Sequence, residues 1–189
     1  MSINIAILAS GNGSNAQHII EYFSKNKKIQ FPLIVTNKED AYVRERIKNL
    51  GLNSIYLSKN EITKTNTLLN LLKKNKIDWI VLAGFLLLIP SNIIQAYTNK
   101  IINIHPALLP DYGGKGMYGM RVHEAVIDNK DKESGITIHH VNEKYDEGNI
   151  IFQSKCEINK NETPETLAVK IHRLEYEYFP KVLEELICK

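Results

Sequence analysis

Apolar positions along this chain follow two rhythms. Short unbroken runs alternate with stretches in which apolar residues recur every three or four positions. Residues 3–8 (Ile-Asn-Ile-Ala-Ile-Leu) read as a strand, and 15–23 carry Ala16, Ile19, Ile20 and Phe23 at helical spacing. Residues 31–36 predict a second strand and 42–50 a helix, which Gly51 would end in the left-handed conformation. Residues 55–57 are a short strand. Leu68, Leu69, Leu71 and Leu72 mark a third helix before the buried strand 79–82. A short helix from Pro90 leads to the strand 100–104. Strands alternating with helices imply right-handed crossovers and a parallel sheet covered on both faces.

The rhythm then changes. Residues 122–127 predict a helix. Residues 136–141 and 150–156 predict two strands, close enough in sequence to pair antiparallel, with Asp146, Glu147 and Gly148 in the loop between them. Thr163-Pro164-Glu165 is a helix start: a capping hydroxyl, proline in the first turn and an acid against the dipole. Leu167, Ile171, Leu174 and Tyr178 form an apolar stripe, and Pro180 is expected to kink or interrupt it. The expected fold is α/β: a single Rossmann-like domain over residues 1–189, with a mostly parallel central sheet, helices on both faces and an antiparallel C-terminal portion.

Composition narrows the classes. Hydrophobic residues make up 43% and charged residues 24% of the 189, as in an ordinary globular protein. A net charge of +3 is too slight for a nucleic-acid-binding stripe, and the longest apolar run, 79–90, is too short to span a bilayer. Cys156 and Cys188 lack metal-type spacing and read as reduced thiols. Met1 leads within two residues into the first strand, so no leader and a cytoplasmic location are expected.

Three places carry candidate chemistry. Asn103 and His105 stand two apart at the end of an apolar run that Pro106 stops. On a strand, both would share a face where a sheet opens, which suits polarising a carbonyl and moving a proton; the alternative is two incidental polar residues. Residues 8–15 (Leu-Ala-Ser-Gly-Asn-Gly-Ser-Asn) join the first strand to the first helix. They read as a phosphate cradle without the Walker lysine or the third dinucleotide glycine, or else as an ordinary glycine turn with a serine or asparagine cap. Asp146 is either plain turn chemistry or a carboxylate that meets His105, raises its pKa and keeps it protonated. His139 and His140 should face opposite ways, one of them toward the core or site. His123 reads as a surface or capping residue. His172 and Glu175, three apart on the last helix, read as a solvated face.

Taken together, the whole chain resembles the phosphoribosylglycinamide formyltransferases, in the family of folate-dependent formyltransferases. The resemblance rests on Ser10-Gly11-Asn12-Gly13-Ser14-Asn15, Leu82-Ala83-Gly84-Phe85, Asn103-Ile104-His105-Pro106-Ala107-Leu108-Leu109-Pro110 and Asp146-Glu147-Gly148. It implies formyl transfer from 10-formyltetrahydrofolate, a co-substrate and not a resident cofactor, to the amine of glycinamide ribonucleotide. It implies Asn103, His105 and Asp146 as the catalytic trio; His139 is a candidate for a supporting residue behind them. Gly13, Ser14 and Asn15 would hold the ribonucleotide phosphate, and His172 and Glu175 would contact the ribonucleotide. Folate would lie against Leu86, Leu87, Leu88, Ile89, Asn103, Asn142, Glu143, Lys144, Tyr145 and Asp146. Residues 86–89 replace the Met-Arg-x-Leu frequent in the family, so contacts there are expected to be apolar and through backbone. No arginine lies between Arg46 and Arg121, leaving Lys64 or Lys59 to meet the folate tail. Residues 113–121 form a longer glycine-rich segment than the family pattern leads one to expect. No metal, nucleic acid or membrane is expected, and the assembly is a monomer or a homodimer. Formyltetrahydrofolate hydrolase and methionyl-tRNA formyltransferase would need further domains. A non-catalytic phosphate-ligand-binding module would leave Asn103, His105 and Asp146 without a reason.

Overall fold

The computed structural model describes residues 2–188. The chain divides into two compact units, Met1–Asn103 and Ile104–Lys189.

Up to the start of β5 (Ile101–His105), the first unit alternates strands β1 (Ile3–Ala9), β2 (Ile29–Thr36), β3 (Ile55–Tyr56) and β4 (Trp79–Leu82) with helices α1 (Ser14–Tyr22), α2 (Val43–Asn49), α3 (Lys59–Thr63), α4 (Thr67–Lys74) and α5 (Ser91–Ala96). The strands are parallel in the order β3-β2-β1-β4-β5. β1 is the middle strand, and Ile5 to Ala9 are wholly buried, as an unbroken apolar run demands of a strand covered on both faces. The chain steps outward from β1 to β2 and β3, then returns to the other side of β1 for β4 and β5. The carboxyl ends of β1 and β4 therefore flank a topological switch point, where open α/β sheets bind ligands. Gly51 follows α2 with φ +74°, the left-handed stop expected. The helix marked by Leu68 to Leu72 is α4, and a further short helix, α3, precedes it. Ser58 caps α3 through a reciprocal bond with Glu61, a Ser-x-x-Glu signature that apolar spacing alone does not register.

In the second unit, α6 (Met120–Asp128) precedes β6 (Glu133–His140) and β7 (Ile150–Glu157), which pair antiparallel with Thr137 opposite Gln153. Helix α7 (Pro164–Ile187) packs on α6, β6 and β7. Thr163 caps it in a box with Thr166. Pro180 does not interrupt α7: the helix is continuous for 24 residues, and Pro180 is buried within it. Its buried stripe is Leu167, Ile171, Glu175, Phe179, Leu183 and Ile187. Burial of the flanking apolar side chains sustains the turn that proline weakens.

Candidate active site

At the switch point, the Ser10 side chain ties three loops together. Ser10 is fully buried; its hydroxyl donates to Asn37 Oδ1 (2.5 Å) after β2 and accepts from the Leu86 N–H (2.8 Å) after β4. The Ser10 N–H donates to the Gly84 carbonyl at 2.9 Å. Gly13, with φ +76°, is the N-cap of α1, so Ser14 and Asn15 open the helix. A Cβ on Gly13 would lie 2.3 Å from Val43 Cγ2, so only glycine lets the loop pass this close to α2. Arg46 of α2 braces the loop from outside, donating to the Asn12 carbonyl and Oδ1 and to Gln17. Backbone amides at a helix N-terminus behind a tight glycine turn suit an anion. Ser10 and Arg46 were not singled out from the sequence, because their role lies in bonds to distant loops.

After β4, Leu86 and Leu88 are exposed, Leu87 is half-buried, and Ile89 belongs to the core. The two exposed leucines offer apolar surface to a ligand, whereas buried Ile89 can offer only backbone. Lys64 is the exposed C-cap of α3, and Lys59 is exposed at its start.

Asn103 and His105 lie two apart on β5, the first half-buried and the second buried. The segment after them is pinned by Thr137 of β6, whose hydroxyl donates to the Ala107 carbonyl (2.7 Å) and accepts from the Leu109 N–H (3.0 Å). His105 Nδ1 lies 3.6 Å from Asp146 Oδ2, and His139 Nε2 lies 3.6 Å from Asp146 Oδ1. The other nitrogen of each ring contacts a backbone carbonyl at 2.8 Å: His105 Nε2 that of Tyr112, His139 Nδ1 that of His140. A carbonyl only accepts, so each of those nitrogens carries a proton. On His105 the nitrogen left to titrate is the one that faces Asp146. The Gly114 N–H also donates to Asp146 Oδ2, at 2.9 Å. Asp146 adopts φ +56°, and the turn after it needs Gly148, whose Cβ would lie 1.7 Å from the His140 carbonyl.

Burial pushes the Asp146 carboxyl up, but His139, His105 and the Gly114 amide together hold it below its ordinary value. The outcome for His105 corrects the sequence expectation. Burial pushes its imidazole down, and this outweighs the Asp146 carboxylate and the Tyr112 carbonyl that push it up. The resting imidazole is therefore neutral near pH 7. Of the adjacent histidines, His139 is the buried one that faces Asp146; His140 is half-buried.

His123 is not a surface or capping residue. Helix α6 begins earlier, at Met120, so His123 falls on its inner face, 2% exposed. Burial drives its pKa down to about 4. The last helix is not wholly solvated either: His172 is exposed, but Glu175 is buried in the core stripe of α7.

Residues 3–183 match the formyl transferase family. The chain is 39% identical to the chloroplastic phosphoribosylglycinamide formyltransferase of Arabidopsis thaliana, over 97% of its own length and 66% of that protein's. It is 35% identical to the phosphoribosylglycinamide formyltransferase of Bacillus subtilis (strain 168), over 96% of its own length and 93% of that protein's. The chain thus spans just under two thirds of the plant relative and nearly all of the bacterial one. The crystal structure of phosphoribosylglycinamide formyltransferase from Bacillus halodurans superposes with a TM-score of 0.88 at 33% identity, covering 98% of this chain and 96% of that one. The α/β architecture read from the sequence, parallel strands followed by an antiparallel pair, is that of these structures.

Proposed function

The chain belongs to the formyl transferase family, and from that premise we propose that it transfers the formyl group of 10-formyltetrahydrofolate to the amine of 5-phosphoribosylglycinamide, a step of purine synthesis. The observation that carries this reading is the His105–Asp146 pair, 3.6 Å apart, two residues along β5 from Asn103. The names of the relatives narrow the acceptor to the ribonucleotide.

The amine attacks the formyl carbon, and negative charge develops on the formyl oxygen. The Asn103 amide donates a hydrogen bond to it, a contribution of about 2.7–4 kcal/mol for a well-aimed donor. The nitrogen that attacks must lose a proton, and the folate nitrogen that leaves must gain one. Neutral His105, with Nε2–H engaged by Tyr112, has its lone pair on Nδ1 and takes the first proton there. Asp146 stabilises the resulting imidazolium, which returns the proton to the leaving nitrogen. A depressed resting pKa suits a group that must begin as a base. Ser14, Asn15 and the amide at Gly13 hold the phosphate, with Glu175 and His172 on the ribonucleotide. Leu86, Leu87, Leu88, the backbone of Ile89 and the loop from Asn142 to Asp146 receive the folate, and Lys64 meets its tail.

Purified protein given both substrates should release tetrahydrofolate only when the ribonucleotide is present. Equal release without it would identify a hydrolase, and ligand binding without release would identify a binding module. Among the described residues no helix is long and apolar enough to cross a membrane.

A further inference from the structure

No side chain of the glycine-rich segment after Pro110 enters the chemistry above, yet three of its consecutive residues touch the catalytic pair through their backbone. The Tyr112 carbonyl accepts from His105 Nε2 at 2.8 Å. Gly113 passes so close to Asp146 that an added Cβ would lie 3.3 Å from Asp146 Cβ and 2.6 Å from Leu109 Cδ2. The Gly114 N–H donates to Asp146 Oδ2 at 2.9 Å. Gly114 has φ +92°, natural for glycine, but Tyr112 has φ +55°, a conformation that bulky residues rarely adopt. Something must hold Tyr112 there. Its hydroxyl donates to Asp131 Oδ2 at 2.6 Å, across the mouth of the loop before β6. The neighbouring Asn129 side chain steadies the same carboxylate from its other oxygen, at 2.8 Å.

We propose that Tyr112 is a positioning residue for formyl transfer: anchored by Asp131, its peptide and the Gly114 amide form a backbone clamp that fixes the His105 tautomer and aims Asp146. The inference rests on the reading of His105 and Asp146 given above. Its physical content is simple. A carbonyl fixed against Nε2 obliges that nitrogen to keep its proton in both charge states. The lone pair then has one place to be, Nδ1, beside the carboxylate that stabilises the cation. Without the clamp, the two neutral tautomers become comparable, and in one of them the base nitrogen points at a peptide carbonyl instead of the reaction. The Tyr112 side chain need touch no substrate; it acts through its own backbone.

The test is a pair of single variants and their combination. Tyr112→Phe keeps the ring and removes the hydroxyl; Asp131→Ala removes the acceptor from a half-buried position away from the pair. Nitrogen chemical shifts of the His105 ring, recorded without substrates, should report a single Nε2–H tautomer in the wild type and a mixture in each variant. The value of kcat should fall on the order of tenfold in each, as expected when a catalytic group loses its alignment. KM for both substrates should stay within about twofold, because the clamp binds neither. Since both changes break one bond, the double variant should be about as slow as either single one. An unchanged tautomer in both variants, losses that multiply in the double variant, or kcat within about twofold of wild type would overturn the clamp. A wild-type protein that fails to transfer formyl groups would overturn the reaction instead, and the tautomer measurement would still decide the clamp.

Discussion

His105 is where a single ring carries most of the chemistry. His105→Ala should lower kcat on the order of 10²–10⁴-fold, the usual contribution of a positioned general acid–base group. Calorimetry should show both substrates still binding; near-normal turnover would remove His105 from the mechanism. Asp146→Asn is a clean companion because asparagine tolerates the left-handed conformation that Asp146 adopts at φ +56°, and it keeps an acceptor for the Gly114 N–H. Only the charge is lost. The His105 imidazole already sits below its ordinary value, and Asp146 is the strongest influence holding it up. Its titration should therefore move to still lower pH in the variant, followed by proton NMR, and turnover should fall at neutral pH. A stationary titration with full turnover would reduce Asp146 to turn chemistry. The sequence shows why these residues can meet but not the balance between burial and charge. Burial belongs to the folded state, and it reverses the expected direction for His105.

Loop and helix must be considered together at the N-terminus of α1. Gly13 combines φ +76° with a Cβ position 2.3 Å from Val43 Cγ2. Gly13→Ala should push α2 away and cost about 1–3 kcal/mol in urea unfolding, as forced overpacking does. Ser14→Ala changes no backbone and should separate folding from binding. Its unfolding midpoint should match the wild type, while affinity for the ribonucleotide falls on the order of tenfold, about one charge-assisted hydrogen bond. Folate affinity should not change; if it fell equally, the loop would not be a dedicated phosphate site. Elements with strong periodicity, such as β1 and α1, were legible from spacing alone. The start of α3 is written in Ser58 and Glu61, in polar capping rather than in apolar rhythm. Pro180 misleads for the opposite reason: a local rule is overridden by the burial of Phe179 and Leu183 on either side.

For the molecule as a whole, His123 should make folding sensitive to acid. Among the described residues its Nδ1 has no hydrogen-bond partner, and its folded pKa is about 4 against an ordinary 6.5. Between those values the unfolded chain binds the proton and the folded chain does not, so stability is complete above about pH 6.5 and declines toward pH 4. The decline attributable to this ring should be on the order of 2–3 kcal/mol. His123→Leu should flatten the difference between urea midpoints at pH 7 and pH 4.5; an unaltered difference would assign the acid sensitivity elsewhere. The sequence by itself determined the α/β alternation, the glycine turn after β1 and the pairing of Asn103 with His105. Each depends on residues a few positions apart, and backbone geometry alone fixes their relation. Only tertiary structure decided that Tyr112, Asp131 and Thr137 hold the segment after His105, and that His123 and Glu175 are interior. These are contacts between residues far apart along the chain, and burial is a property of the packing around a side chain, not of its neighbours in sequence.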